Sequence, residues 1–253
     1  MADKSSDSDS GGASGPGPGA DLDPHLRRFA GATALTVALA AEIATTLQGA
    51  LAAGRGASLL VPGGHTPVRL FERLSRFELD WASVWVGLTD ERWVDTRDSA
   101  SNEHLVRDHL LRNEAAAANF VGLKSAVADP SEAETASWST LAELPRPFDF
   151  VLLGMGEDGH IASLFPGSPG LARALDPAAP PGCMHMTAPV PPQARMSLTL
   201  RALLDSRRIV VMIVGADKLQ TYQSARARGP AAEMPVRALL AQQNVPVSVY
   251  WAP

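Results

Sequence analysis

The chain has 253 residues, 45% of them hydrophobic, and a formal net charge of −5. That length suffices for one large α/β domain or two small ones, and the acidic balance gives no electrostatic footprint for nucleic acid. A single cysteine, Cys183, excludes an intrachain disulfide and points to a reducing, cytoplasmic setting; it reads as a structural residue.

Residues 1–23 are Ser, Gly, Asp and Pro with almost nothing to bury, and they predict a disordered tail. They carry neither the basic nor the apolar region of a signal peptide. Residues 24–253 are expected to form one domain. Residues 30–53 make the one apolar stretch long enough to raise a membrane question. Glu42, Gln48 and four threonines interrupt it, so it reads as an amphipathic helix stopped by Gly54-Arg55-Gly56.

Residues 57–61 are a short apolar strand, followed by Pro62-Gly63-Gly64-His65-Thr66-Pro67 and a helix over 68–74 with Pro67 at its first position. A glycine turn with a hydroxyl residue between a strand and a helix suits an anion, because backbone N–H groups point outward there. No Gly-Lys-Ser/Thr follows, so it is not a P-loop. A further strand over 83–88 ends in the charged loop Thr89-Asp90-Glu91-Arg92-Trp93. Ser101 or Asn102 then caps a helix reaching about Arg112, on which Glu103, His104 and His109 read as surface residues without zinc-ligand spacing.

Residues 119–122 predict another strand, and 131–141 a helix with Ser131 as cap and Glu134 as its capping-box partner. Residues 148–153 form a continuous apolar run interrupted only by Asp149, as in a strand buried on both faces. It leads straight into Gly154-Met155-Gly156-Glu157-Asp158-Gly159-His160. In open α/β sheets chemistry sits in loops at the carboxyl ends of strands, which makes this turn the expected active site. The glycines match the dinucleotide fingerprint formally, but Glu157 and Asp158 would repel a pyrophosphate and Pro166 cuts short any following helix.

Residues 167–181 read as a Gly/Pro/Ala-rich surface loop, and 184–190 as a strand. Arg195-Met196-Ser197-Leu198-Thr199 precedes a short helix around 201–204. The apolar strand over 209–214 closes on Gly215-Ala216-Asp217-Lys218, which sets Lys218 at the start of a helix. A helix over 236–242 and a strand over 247–251 complete the chain. The alternation predicts a doubly wound, mostly parallel sheet with helices on both faces.

These blocks, taken in order, resemble the glucosamine-6-phosphate isomerase/6-phosphogluconolactonase family. The blocks are Gly63-Gly64-His65-Thr66-Pro67, residues 89–94, Ser101-Asn102, residues 154–167, residues 195–199 and Gly215-Ala216-Asp217-Lys218. The resemblance implies a glucosamine-6-phosphate deaminase-like fold and hydrolysis of 6-phospho-D-glucono-1,5-lactone in the oxidative pentose phosphate pathway. It also implies no metal and no cofactor. His65 stands where relatives often carry serine. The deaminases continue with Phe-Asn-Glu-Pro-Gly where this chain has Ser163-Leu164-Phe165-Pro166-Gly167, which argues against deaminase chemistry. Sugar-phosphate sensors of this fold usually add a helix-turn-helix, for which the polar tail is too short.

Within that resemblance His160 is the expected general base, Asp158 its orienting carboxylate, and Arg92 a phosphate or oxyanion donor. Gly63, Gly64, His65, Thr66, Asp90, Arg195 and Lys218 are the expected substrate and phosphate contacts. The expected partner is a small sugar phosphate, with no nucleic acid or membrane, and the expected assembly is a monomer or weak homodimer.

Overall fold

The computed structural model describes residues 23–253, so the expected tail lies outside it except for Asp23. Asp23 is tied down: its carboxylate accepts from the Tyr222 hydroxyl at 2.7 Å and lies 3.4 Å from the Arg226 guanidinium.

The helix α1 (Ala32–Ala52) buries Leu35, Leu39, Ile43 and Leu47 at four-residue spacing. It is long and apolar enough to cross a bilayer. Its buried stripe instead packs on the strands β2 (Ala57–Val61), β6 (Phe150–Leu153) and β10 (Val247–Ala252). The remaining strands of the main sheet are β1 (Leu26–Arg28), β3 (Val84–Leu88), β5 (Asn119–Val121) and β9 (Ile209–Val214). The order is β1-β10-β9-β6-β2-β3-β5, and every pairing is parallel. Strands β2 and β6 are buried along their whole length, as a parallel sheet covered on both faces requires.

From β2 the chain builds outward through β3 and β5. It then returns to the other side of β2 with β6 and continues through β9 and β10. The order therefore reverses between β2 and β6, the point at which doubly wound sheets open a crevice at their carboxyl ends.

A second sheet, unexpected from the sequence, stands beyond that edge. It is antiparallel, ordered β4-β8-β7, and built from β4 (Asp90–Arg92), β7 (Cys183–Thr187) and β8 (Ala194–Leu198). The supposed charged loop 89–93 is thus partly strand, with Asp90 opposite Ser197 and Arg92 opposite Arg195.

The helices α2 (Val68–Leu74), α3 (Asn102–His109), α7 (Ala216–Arg226) and α8 (Val236–Ala241) fall where expected. So does the short α6 (Leu200–Leu203). Several local expectations are corrected. Pro67 is the N-cap of α2 rather than its first residue. The helix α4 (Pro130–Leu141) starts one residue early, because Pro130 takes the first helical position and Asp129 caps it by accepting from the Ser131 N–H at 2.8 Å. Glu134 makes no capping box; it accepts from the backbone N–H and Nδ1 of His185 at 3.0 and 2.7 Å and from Arg173 at 3.1 Å. Glu103 is buried rather than on the surface, paired with Arg107 at 2.8 Å. The stretch 167–181 is not all loop: α5 (Leu171–Ala174) buries Leu171 and Ala174.

Candidate active site

Four strand ends supply the site. Strand β2 runs into Pro62-Gly63-Gly64, β3 into Thr89 and β4, β6 into Gly154, and β9 into Gly215 and α7. Between them lies a cleft with two lobes. One is lined by Pro62, Gly63, Gly64 and Thr66 on one side, by Leu153, Gly154 and Met155 beneath, and by Val214 and Lys218 opposite. The other is lined by Asp90, Arg92, Asn102 and Ala162, and shares Pro62, Gly63, Gly64 and Gly154 with the first. Gly64 has φ +85° and Gly215 φ +96°, backbone that side-chain-bearing residues rarely adopt. Gly64 lines both lobes, and Gly215 leads from Val214 to α7, which carries Lys218 into the first.

His160 is held on three sides. Asp158 Oδ1 lies 2.6 Å from its Nδ1 and also accepts from its backbone N–H at 3.0 Å. The Phe165 ring packs at 4.4 Å between centroids. Gly156 closes the third side, since a Cβ there would overlap both the imidazole and the Asp158 carboxylate. Burial alone would raise the Asp158 pKa, but the hydrogen bond and charge of His160 outweigh it and hold the carboxyl below its ordinary value. A carboxylate only accepts, so Nδ1 is the donor in that contact, and in the neutral imidazole the lone pair is then on Nε2. The imidazole remains partly open to solvent.

The turn carrying His160 is fixed from both ends. Gly156 N–H donates to the His160 carbonyl at 2.9 Å, and Val236 N–H at the start of α8 donates to the Gly159 carbonyl at 2.9 Å. After it, Ala162 adopts φ +47° in a tight Ile161–Leu164 turn. Ser163 Oγ then donates to Asp90 Oδ2 at 2.6 Å, and Thr89 Oγ1 to Asp90 Oδ1 at 3.3 Å. Asp90 therefore ties the histidine turn to the second sheet.

Glu91, fully buried, accepts four hydrogen bonds. They come from the backbone N–H groups of Arg92, Asn102 and Glu103 at 2.6, 2.7 and 2.8 Å and from Ser101 Oγ at 3.0 Å. Burial pushes its pKa up, against the pull of those donors. Arg92 donates to the Ala100 carbonyl and faces the second lobe. Arg195, its cross-strand neighbour, is only 6% exposed. Burial and the adjacent Arg92 charge lower its pKa, with Asp90 and Glu91 opposing.

Gly63, Gly64, Thr66 and Lys218 line the first lobe, and Asp90 and Arg92 the second. His160 and Asp158 stand in the turn between Gly154 and Ala162, both of which line the second lobe. His65 points into solvent and lines neither lobe, and Arg195, buried beside its cross-strand partner Arg92, lines neither lobe. Asn102, which the sequence offers as an alternative helix cap and as part of the Ser101-Asn102 block, lines the cleft; the cap is Ser101, which accepts from His104 N–H at 3.2 Å. Its proximity to Gly63 is a tertiary contact that no local pattern carries. Among the described residues no group of three or more His, Cys, Asp or Glu side chains is arranged to hold a metal.

Residues 30–251 match the family model described as glucosamine-6-phosphate isomerases/6-phosphogluconolactonase. The chain is 42% identical over 232 residues to the 6-phosphogluconolactonase of Rhizobium meliloti, covering 92% of this chain and 100% of that one. It is 45% identical over 215 residues to that of Pseudomonas aeruginosa, covering 85% and 89%. A solved 6-phosphogluconolactonase from Shewanella baltica superposes with a TM-score of 0.87 at 42% identity, over 93% of this chain and all of that one. A monomeric glucosamine-6-phosphate deaminase shares the fold, with a TM-score of 0.71 at 17% identity.

Proposed function

Since the chain belongs to the glucosamine-6-phosphate isomerase/6-phosphogluconolactonase family and is an enzyme of the 6-phosphogluconolactonase kind, we propose that it opens 6-phospho-D-glucono-1,5-lactone by His160-assisted attack of water. The observation that carries this reading is the Asp158–His160 pair, with Nδ1 engaged at 2.6 Å and Nε2 free.

Nε2 takes a proton from water as the water oxygen bonds to the lactone carbonyl carbon. Negative charge then gathers on the carbonyl oxygen, and the Arg92 guanidinium is the fixed positive donor at that lobe. As the tetrahedral intermediate collapses, the bond from the carbonyl carbon to the ring oxygen breaks. The imidazolium returns its proton to that oxygen, and the new carboxyl group ionises to give 6-phosphogluconate. Asp158 keeps the imidazole in one tautomer and stabilises the transient imidazolium.

The phosphate sits in the other lobe. The Gly63–Gly64 turn offers backbone N–H groups, Thr66 a hydroxyl, and Lys218 a charge at the start of α7, whose dipole adds to it. Separate sites for the two ends of the substrate let an acidic protein hold an anionic ligand. Phe165 occupies the place of the deaminases' glutamate and packs on the His160 ring, so no carboxylate stands there for ring-opening of an amino sugar.

The test is hydrolysis of freshly generated lactone against its spontaneous rate, for wild type and His160→Ala. Fast wild type and a variant slower by about 10²–10⁴-fold are expected. A variant as fast as wild type would remove His160 from the mechanism. A wild type no faster than the background, yet binding 6-phosphogluconate, would make the protein a sensor.

A further inference from the structure

The turn that carries His160 is backed by α7 and by the link from α7 to α8. Thr221 Oγ1 on α7 donates to the Glu157 carbonyl at 3.2 Å, and Val236 N–H donates to the Gly159 carbonyl at 2.9 Å. Beside these two bonds the Met234 side chain lies against Gly159. A Cβ added there would stand 3.0 Å from the Met234 Cβ and 3.1 Å from its terminal methyl, Cε. Gly159, at φ +77°, joins Asp158 to His160, so Met234 packs on the residue that sets the spacing of that pair.

Met155, Met184, Met186, Met196 and Met212 are at most 6% exposed, whereas Met234, alone among the described methionines, is partly open to solvent. It lines an open surface cleft with Glu157, Asp217, Gln220, Thr221 and Ser224. The two carboxylates there repel an anionic oxidant but not a small neutral one. Cys183 does not compete for it: the residue is buried, and burial pushes its thiol up, away from the reactive thiolate.

We propose that Met234 is a modification site, at which hydrogen peroxide converts the thioether to the sulfoxide and so loosens the His160 turn. The sulfur lone pair attacks one peroxide oxygen, and the S–O bond forms as the O–O bond breaks. The departing oxygen takes the proton of the transferred one and leaves as water. The thioether is thus oxidised by two electrons and the peroxide reduced. The change makes a flexible apolar side chain polar, and its new oxygen needs a donor. Gly159 has none to give, because its N–H donates to the Gly156 carbonyl at 3.1 Å and its own carbonyl holds Val236. Water in the open cleft supplies the donor instead, which draws the side chain off Gly159 and removes the apolar backing of the turn. The effect on turnover rests on the reading of His160 as the base; the oxidation itself does not.

The experiment exposes wild type, Met234→Leu and Met234→Gln to hydrogen peroxide and follows peptide masses, lactone hydrolysis and the NMR signals of the His160 imidazole. Leucine keeps the apolar volume without the sulfur, and glutamine imitates the polar sulfoxide. Met234 should oxidise ahead of the five buried methionines. Wild-type kcat should fall roughly tenfold in step with it, as expected for a catalytic group displaced by a fraction of an ångström. KM should move little, the imidazole signals should shift, and methionine sulfoxide reductase should restore all three. Met234→Leu should keep its kcat and its signals through the same exposure, and Met234→Gln should resemble oxidised wild type before any peroxide is added. Loss of activity by Met234→Leu at the wild-type rate would overturn the proposal. So would complete oxidation of Met234 with kcat and the His160 signals unchanged, or oxidation of the buried methionines first. If untreated wild type does not hydrolyse the lactone, the lactonase reading fails, while the peptide masses and imidazole signals still decide the role of Met234.

Discussion

At Gly156 a single methyl group would strike both members of the Asp158–His160 pair. The surrounding turn cannot yield easily, because its carbonyls at Gly156 and Gly159 are both engaged. Gly156→Ala is therefore expected to displace the imidazole and lower kcat by about 10²-fold, the cost of misplacing a catalytic group by roughly an ångström. Gly182→Ala serves as the control, since a Cβ there meets nothing within 4 Å, and it should leave kcat unchanged. Equal activity of the two variants would show that the turn adapts and that the steric argument fails. Asp158 adds a pH signature. Its pKa is depressed in the folded protein, so its contribution to stability is present above its ordinary value of 3.8 and is lost as pH falls through the depressed one. Asp158→Asn should remove that acid-side dependence in melts recorded from pH 5 down to about 2.5.

Among the elements, β4 and the start of α3 act as one clip. Glu91 reaches from the strand to the backbone of α3, and Asn102 reaches back from α3 to the strand. Glu91→Gln puts an NH₂ among N–H and O–H donors and leaves one or two of them buried without an acceptor. A loss of about 1–3 kcal/mol in thermal or denaturant unfolding is expected. The raised Glu91 pKa sets the sign with pH. A proton is bound more readily folded than unfolded, so this group's contribution is fullest below the ordinary value of 4.5 and fades as pH rises through the raised one. The gap between wild type and Glu91→Gln should therefore widen on acidification, and a gap constant from pH 4 to 8 would refute it. This clip also marks the limit of what the sequence discloses. The strands β2, β6 and β9 were legible because burial on both faces demands unbroken apolar runs. The glycine turns after them were legible because tight exits from strands need such residues. The second sheet was not, because Asp90-Glu91-Arg92 and Ala194-Arg195-Met196-Ser197-Leu198 resemble loop when their partners are unknown. The Asp90 carboxylate, for one, is satisfied by Ser163, 73 positions away. For the same reason the place of Asn102 in the cleft and the burial of Arg195 were not legible, whereas His160 and Asp158, two residues apart in one turn, could be paired by inspection.

For the whole molecule, the decisive question is where the folded unit begins. Asp23 bonds Tyr222 in α7, and the raised Tyr222 pKa follows from its burial and that carboxylate. Strand β1 then adds Leu26, Arg27 and Arg28 beside Val249, Tyr250 and Trp251 at the edge of the main sheet. Arg27 reaches Glu42 of α1 and the Tyr250 hydroxyl, and Phe29 stacks on Tyr250 at 5.1 Å. These contacts join the first described residues to both α1 and the last strand, closing the sheet on the side away from β5. A chain starting at residue 23 keeps every one of these contacts. One starting at residue 30 loses the β1 ladder, the Asp23–Tyr222 bond and the Phe29 packing, together worth about 2–3 kcal/mol. For a domain of this size that is a fall of roughly 5–10 °C in Tm. The cleft is bordered on this side by the end of β9, and β10 stands between β9 and β1, so kcat at 25 °C should survive the second truncation while the melting point does not. Loss of activity at unchanged Tm would mean that the edge strand is coupled to the cleft, and that the sheet does not insulate its centre from its border.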